Sequence, residues 1–152
     1  MNVQRRIGIA LASAITAHEF AGAIESVTAT YRRRPDYRLD QIGSLSVSVS
    51  PGPVAVGNQP APRGADFFDL TFGVVLAKSV ASESDIEQLE DLNQELMDGL
   101  RSDLFTLGDV PPGVEYRELT QVMPFDAATL EERSVFLSQI EVAYTVPLDK
   151  VS

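Results

Sequence analysis

The stretch FFDLTFGVVLAKSVASESDIEQLEDLNQELMDGLR, Phe67 to Arg101, runs a strand pattern straight into a helix pattern. From Phe67 to Ala77, the residues Phe68, Leu70, Phe72, Val74 and Leu76 fall on one side of an extended chain and Asp69, Thr71 and Gly73 on the other. A period of two with one apolar side predicts a half-buried β-strand. Ser84 with Glu87 three places later fits a capping box, in which each side chain accepts from a backbone N–H of the helix's first turn. A helix is therefore predicted from Ser84. At 100° per residue, Ile86, Leu89, Leu92, Leu96, Met97 and Leu100 lie within an arc of roughly 140°, with Glu87, Asp91, Glu95 and Asp98 opposite. A stripe that wide needs a cover, and the strand face carrying Phe68, Leu70 and Phe72 is large enough to supply one. The helix is expected to pack there.

The same two periodicities place the remaining elements. Residues 3–21 read as a first helix with Val3, Ile7, Ala10, Leu11, Ala14, His18 and Ala21 on one face. A strand at about 24–33 alternates Val27, Ala29 and Tyr31 with serine and threonine, then runs into Arg32, Arg33, Arg34 and Pro35, where proline ends it. Leu45, Val47 and Val49 alternate with Ser44, Ser46, Ser48 and Ser50, a one-sided strand whose outer face is all serine. Pro51–Asp66 holds four prolines and three glycines in sixteen residues and reads as a long loop, extended at most briefly at Val54–Val56. Long loops are usually functional or disordered, so this one is a candidate contact arm. Past a turn at Gly108–Gly113, strands follow at about 114–122 and 134–146, the second with Phe136, Ile140, Val142, Tyr144 and Val146 on one face.

The order is one helix, three strands, a second helix and two strands (α-β-β-β-α-β-β). The economical solution is an α+β fold, a single mixed or mostly antiparallel sheet of about five strands with both helices packed on it. With no internal repeat and no dividing linker, the 152 residues are expected to form a single domain, 1–152.

Composition excludes several classes of function. Cysteine is absent, which removes disulfides, thiolate metal sites and cysteine nucleophiles together. A net charge of −10 opposes nonspecific nucleic-acid binding, which needs a basic surface. The charge is uneven: through Asp66 there are seven Lys or Arg against five acids, or +2, and from Phe67 onward five against seventeen, or −12. Arg5 and Arg6 before the apolar run Ile7–Ala17 superficially resemble a secretory signal, but the run is weakly hydrophobic and breaks at His18 and Glu19. No stretch reaches the length of a membrane span, and a soluble protein is expected.

The search for chemistry returns structural readings. His18 is the only histidine, so a Ser-His-Asp arrangement would have to run through it, and its place on an apolar helix face favours packing. Glu83, Asp85, Glu87, Glu90, Asp91, Glu95 and Asp98 could attract Ca²⁺ or Mg²⁺, but they follow helical spacing rather than that of a ligand loop, and a solvated face is preferred. Gly52, Gly57 and Gly64 lie among prolines and lead to a strand, so they make no phosphate loop. No catalytic residue, cofactor or metal is assigned. Arg32, Arg33 and Arg34 are either a solvated run or a contact for phosphate or a neighbour's acids. Asn93 falls inside the apolar arc, where its amide must either bond the sheet or face a partner subunit.

The pattern as a whole resembles the tail-terminator or tail-completion proteins of long-tailed bacteriophages. The likeness lies in the strand ending Tyr31–Pro35, the strand end Val47–Pro51, the run Phe68–Leu76, the acidic helix Asp85–Leu100, Pro124-Phe125-Asp126 with Leu130, and the final Tyr144-Thr145-Val146. The resemblance implies a structural virion protein without catalytic residues. It would form a homohexameric ring at the head-proximal end of the tail tube, contacting tail-tube subunits on one side and neck or head-completion proteins on the other. Made in the host cytoplasm, it would end in the virion, and DNA would pass its lumen without specific binding. Arg32, Arg33, Arg34, Arg63, Pro51 and Asn58 are the candidate subunit or tail-tube contacts. The alternative is a small cytoplasmic enzyme or ligand-binding α+β domain, which would show a deep pocket with convergent polar groups.

Overall fold

Alternating apolar residues in the middle of the chain become the middle of a sheet. The computed structural model describes residues 2–20, 27–33, 45–56, 67–101, 110, 114–123 and 135–147. Their elements are α1 (Val3–Ala17), β1 (Ala29–Tyr31), β2 (Ser46–Val56), β3 (Phe67–Ser79), α2 (Glu83–Arg101), β4 (Glu115–Met123) and β5 (Val135–Pro147). The fold is α+β, and one five-stranded sheet runs in the order β1-β2-β3-β5-β4. β1 is parallel to β2 and every other pair is antiparallel, so the sheet is mixed. β3 pairs with β5 without interruption from Phe67↔Pro147 to Ser79↔Val135, which makes these two long strands its spine.

Both helices cover the same face. Leu70, Phe72, Val74 and Leu76 of β3 and Phe136, Ile140, Val142, Tyr144 and Val146 of β5 join Ile7, Leu11 and Ile15 of α1 and Leu89, Leu92, Leu96 and Leu100 of α2 in one buried core. Within it, α1 lies over β1 and β2, whereas α2 lies over β4 and β5. The expected seat of α2 on the Phe68, Leu70 and Phe72 face of β3 is therefore displaced to the neighbouring β4 and β5, although all share one core. Phe72 meets α1, whose Gly8 lets the rings of Tyr31 and Phe72 approach its backbone. β3 is the central strand of five, and the helices divide over the strands on either side of it, which its own sequence cannot reveal.

Four further expectations are corrected. The buried side of α1 keeps Val3, Ile7 and Leu11 but takes Gly8, Ala12 and Ile15 in place of Ala10, Ala14 and His18. The stripe turns toward Ile15 because burying an isoleucine removes far more apolar area from water than burying an alanine. The helix also stops at Ala17, with the His18 N–H donating to the carbonyls of Ala14 and Ile15.

Second, the cap of α2 sits two residues before the expected Ser84. Ser82 Oγ accepts from the Asp85 N–H (3.3 Å), and Asp85 Oδ2 accepts from the Ala81 N–H (2.9 Å). Starting there puts Glu83 and Asp85 in the first turn, where the helix dipole favours acids.

Third, β2 does not end at Pro51. It continues to Val56, pairing Pro51 with Phe72 and, past a register shift, Val54–Val56 with Leu70–Phe68. β1 accompanies β2 only along Val47–Val49, so among the described residues β2 is an edge beyond that point, where a residue without an N–H is tolerated. Of the expected loop, only residues 57–66 remain outside the described strands.

Fourth, Ser48 and Ser50 are not solvated; they are 7% and 5% exposed. Val75, Ala77, Val135 and Ala143 are buried on that same side of the sheet.

Candidate functional site

One end of α1 and one end of β1 meet in the only basic cluster among the described residues. The Gln4 side-chain amide donates to the Gly52 carbonyl (3.1 Å), which ties the start of α1 to β2 just beyond Pro51. Asn2 caps the helix by accepting from the Arg5 N–H (2.7 Å). The Arg32 N–H continues the β1–β2 ladder to the Val49 carbonyl (2.8 Å), so Arg32 and Arg33 leave the sheet at that same end. Between them stands Tyr31. Burial pushes its phenol up from its ordinary pKa, and the guanidiniums of Arg5 and Arg33 pull it partly back. Arg5, Arg32 and Arg33 are exposed, and Arg6 and Pro51 are half-buried. Of the six sequence candidates, the structure thus brings Arg32, Arg33 and Pro51 to one end; Arg34, Arg63 and Asn58 lie outside the described residues.

Arg5 and Arg6 were missed as site residues, although a signal was present. The first turn of α1 holds no acid, and a cation there opposes the positive end of the helix dipole. Such a placement costs a few tenths of a kcal/mol to about 1 kcal/mol and is a reason to look for another use.

The acids of α2 divide by the side of the helix they occupy. Glu83, Glu87, Glu90 and Asp91 are exposed and make no ion pair with any described residue. Glu95 faces α1 instead, its carboxylate 3.9 Å from His18 Nε2. Asp98 accepts from Arg101 and from the Gln94 amide (3.0 Å). Among the described residues, no group of three or more Asp, Glu or His side chains is placed to hold a metal ion. His18 packs edge-on to Phe20 with ring centroids 4.6 Å apart, and with Glu95 it joins the end of α1 to α2.

Asn93 is satisfied within the chain, by a serine rather than by the sheet backbone. Ser138 Oγ, fully buried on β5, donates to Asn93 Oδ1 at 2.8 Å. The clue in the sequence was Ser138 itself, the one polar residue in the inward series Phe136, Ser138, Ile140, Val142, Tyr144 and Val146. A buried hydroxyl needs a partner, and the buried amide of Asn93 on the facing helix supplies one. On the opposite side of the sheet, Arg117 of β4 pairs with Asp69 of β3, and Thr145 of β5 donates to the other oxygen of that carboxylate (3.4 Å).

Neither arrangement places a nucleophile beside a base, the minimum for covalent catalysis. What the molecule offers outward is charge: a basic end and an acidic helix face.

No family model matches the sequence, and no curated protein matches it closely enough to count as a relative. No helix among the described residues is long and apolar enough to cross a membrane.

Proposed function

We propose that this chain is a structural subunit of a phage particle, a tail-terminator or tail-completion protein rather than an enzyme. Six copies form a ring on the head-proximal end of the tail tube, with tail-tube subunits below and neck proteins above. The observation that carries the reading is where the resembling stretches fall. Tyr31 ends β1, Val47–Pro51 lies on β2, Phe68–Leu76 forms the middle of β3, Asp85–Leu100 makes most of α2, and Tyr144–Val146 lies near the end of β5. Five of the six resembling stretches thus fall, wholly or in part, on one sheet and one covering helix, which supports the reading; Pro124–Asp126 and Leu130 lie outside the described residues. Fold alone does not assign function; the outward display of separated charges supports an assembly role. At a formal −10 per copy, a ring of six carries −60, and a negative lumen lets DNA pass without adhering.

The test is to mix the purified full chain with purified phage tail tubes and image the tube ends by electron microscopy, alongside light scattering of the chain alone. Caps on one end of the tubes, or rings in the free protein, support the reading. A chain that stays monomeric at every concentration and leaves the tubes bare overturns it in favour of a small enzyme or ligand-binding domain.

A further inference from the structure

The basic end and the acidic face occupy opposite corners of the fold. Arg5 and Arg33 stand where α1 begins, over β1 and β2, at the level of Gly52. The acids Glu83, Glu87, Glu90 and Asp91 occupy the first half of α2, which starts four residues past Ser79 at the other end of β3. Asn93 holds that helix over Ser138, whose strand neighbour Leu76 lies level with Val47. From Val47 to Gly52 the strand climbs roughly 17 Å, and from β1 to β5 the sheet spans about 14 Å in three strand spacings. The separation is about 20 Å on the diagonal, more than two Debye lengths at physiological salt.

The end of α1 nearest the acidic stripe is also not its arginine end. On the helix, Glu83, Glu87, Glu90 and Asp91 fall within about 100° of arc, and Glu95, the residue that touches His18 of α1, lies beyond one side of it. α1 is on that flank. What α2 meets there is the His18 end of α1, the end opposite Arg5, so these carboxylates and arginines stay apart within one chain.

We infer that the Arg5–Arg33 corner of one copy docks on the Glu83–Asp91 face of α2 in the next, a head-to-tail contact between copies of this chain. The inference rests on the ring reading and supplies its interface. Charge complementarity selects the occupant, because a second copy brings to each corner the opposite charge already exposed on this molecule. A contact between two different patches is heterologous, and repetition closes a ring when the rotation permits. It also gives a use to the arginines set against the dipole of α1.

Two variants test it in the full chain. Arg5→Glu/Arg33→Glu makes the first corner acidic, and Glu87→Lys/Asp91→Lys makes the second basic; all four residues are exposed, and chemical denaturation checks that each variant still folds. Each variant alone meets like charge at every contact, and its self-association, read by sedimentation, should weaken by about tenfold or more. In an equimolar mixture of the two, every contact in an alternating assembly is complementary again, and the wild-type species should return. Wild-type assembly should weaken from low to high salt. If the wild type assembles while either variant does so equally well, or the mixture recovers nothing, this interface is wrong and the ring reading stands. A wild type that neither assembles nor caps tail tubes overturns both.

Discussion

Gly8→Ala offers a sharp test of how α1 meets the sheet, because two effects of similar size oppose each other there. In an open helix the change stabilises by about 0.8–1.0 kcal/mol, the difference in intrinsic propensity. Here a Cβ would lie 2.3 Å from Tyr31 Cε2, 2.6 Å from Tyr31 Cδ2 and 3.0 Å from Phe72 Cε1. These are ring carbons, not the far end of a flexible chain, and Phe72 is fully buried. Forcing a methyl into such a contact costs about 1–3 kcal/mol. The net is a loss of up to about 2 kcal/mol, and the sign follows from Tyr31. With Tyr31→Val the ring is gone, and the same Gly8→Ala change should turn neutral or stabilising. Urea unfolding of the four proteins of this cycle gives the coupling directly, and about 1 kcal/mol or more is well outside the additivity of distant sites. A Gly8→Ala protein more stable than its parent, or an equal effect with and without the tyrosine ring, would refute the packing of α1 on β1 described here.

Three further outcomes are expected. Ser82→Ala should lower stability by about 1 kcal/mol and Ser84→Ala by far less, measured by urea unfolding, because Ser82 carries the cap. Ser138→Ala should cost about 1–3 kcal/mol by stranding the buried Asn93 carbonyl, whereas adding Asn93→Leu should recover much of the loss, since removing both partners leaves no unmet group. For Tyr31 the folded pKa lies above the ordinary value of about 10. The unfolded phenol therefore ionises first, and its contribution is intact below about pH 10 and lost as pH rises through the folded pKa. Tyr31→Phe should flatten that alkaline part of a stability-against-pH curve, and an unchanged slope would show that Tyr31 is not shielded.

Periodicity made β3, β5 and α2 legible with small errors at their ends, because a strand with one apolar face and a helix with one apolar stripe write their burial into local spacing. The α+β class followed from the order of those elements. Sequence also exposed the tension at Asn93, a polar residue inside an apolar arc, but not its answer, since Ser138 lies 45 residues away. The same limit hid the basic corner. Arg5 and Arg33 are far apart in the chain and become neighbours only when α1 packs on β1. Pro51 looked like a strand end because proline lacks a donor, yet β1 stops short and, among the described residues, leaves β2 an edge where none is needed. Local spacing determined which faces must be buried, because that preference belongs to each segment alone. Sheet order, register, the partners of buried polar groups and the opposition of the charged corners were decided only by the tertiary structure, because each depends on the free energy of segments meeting from distant parts of the chain.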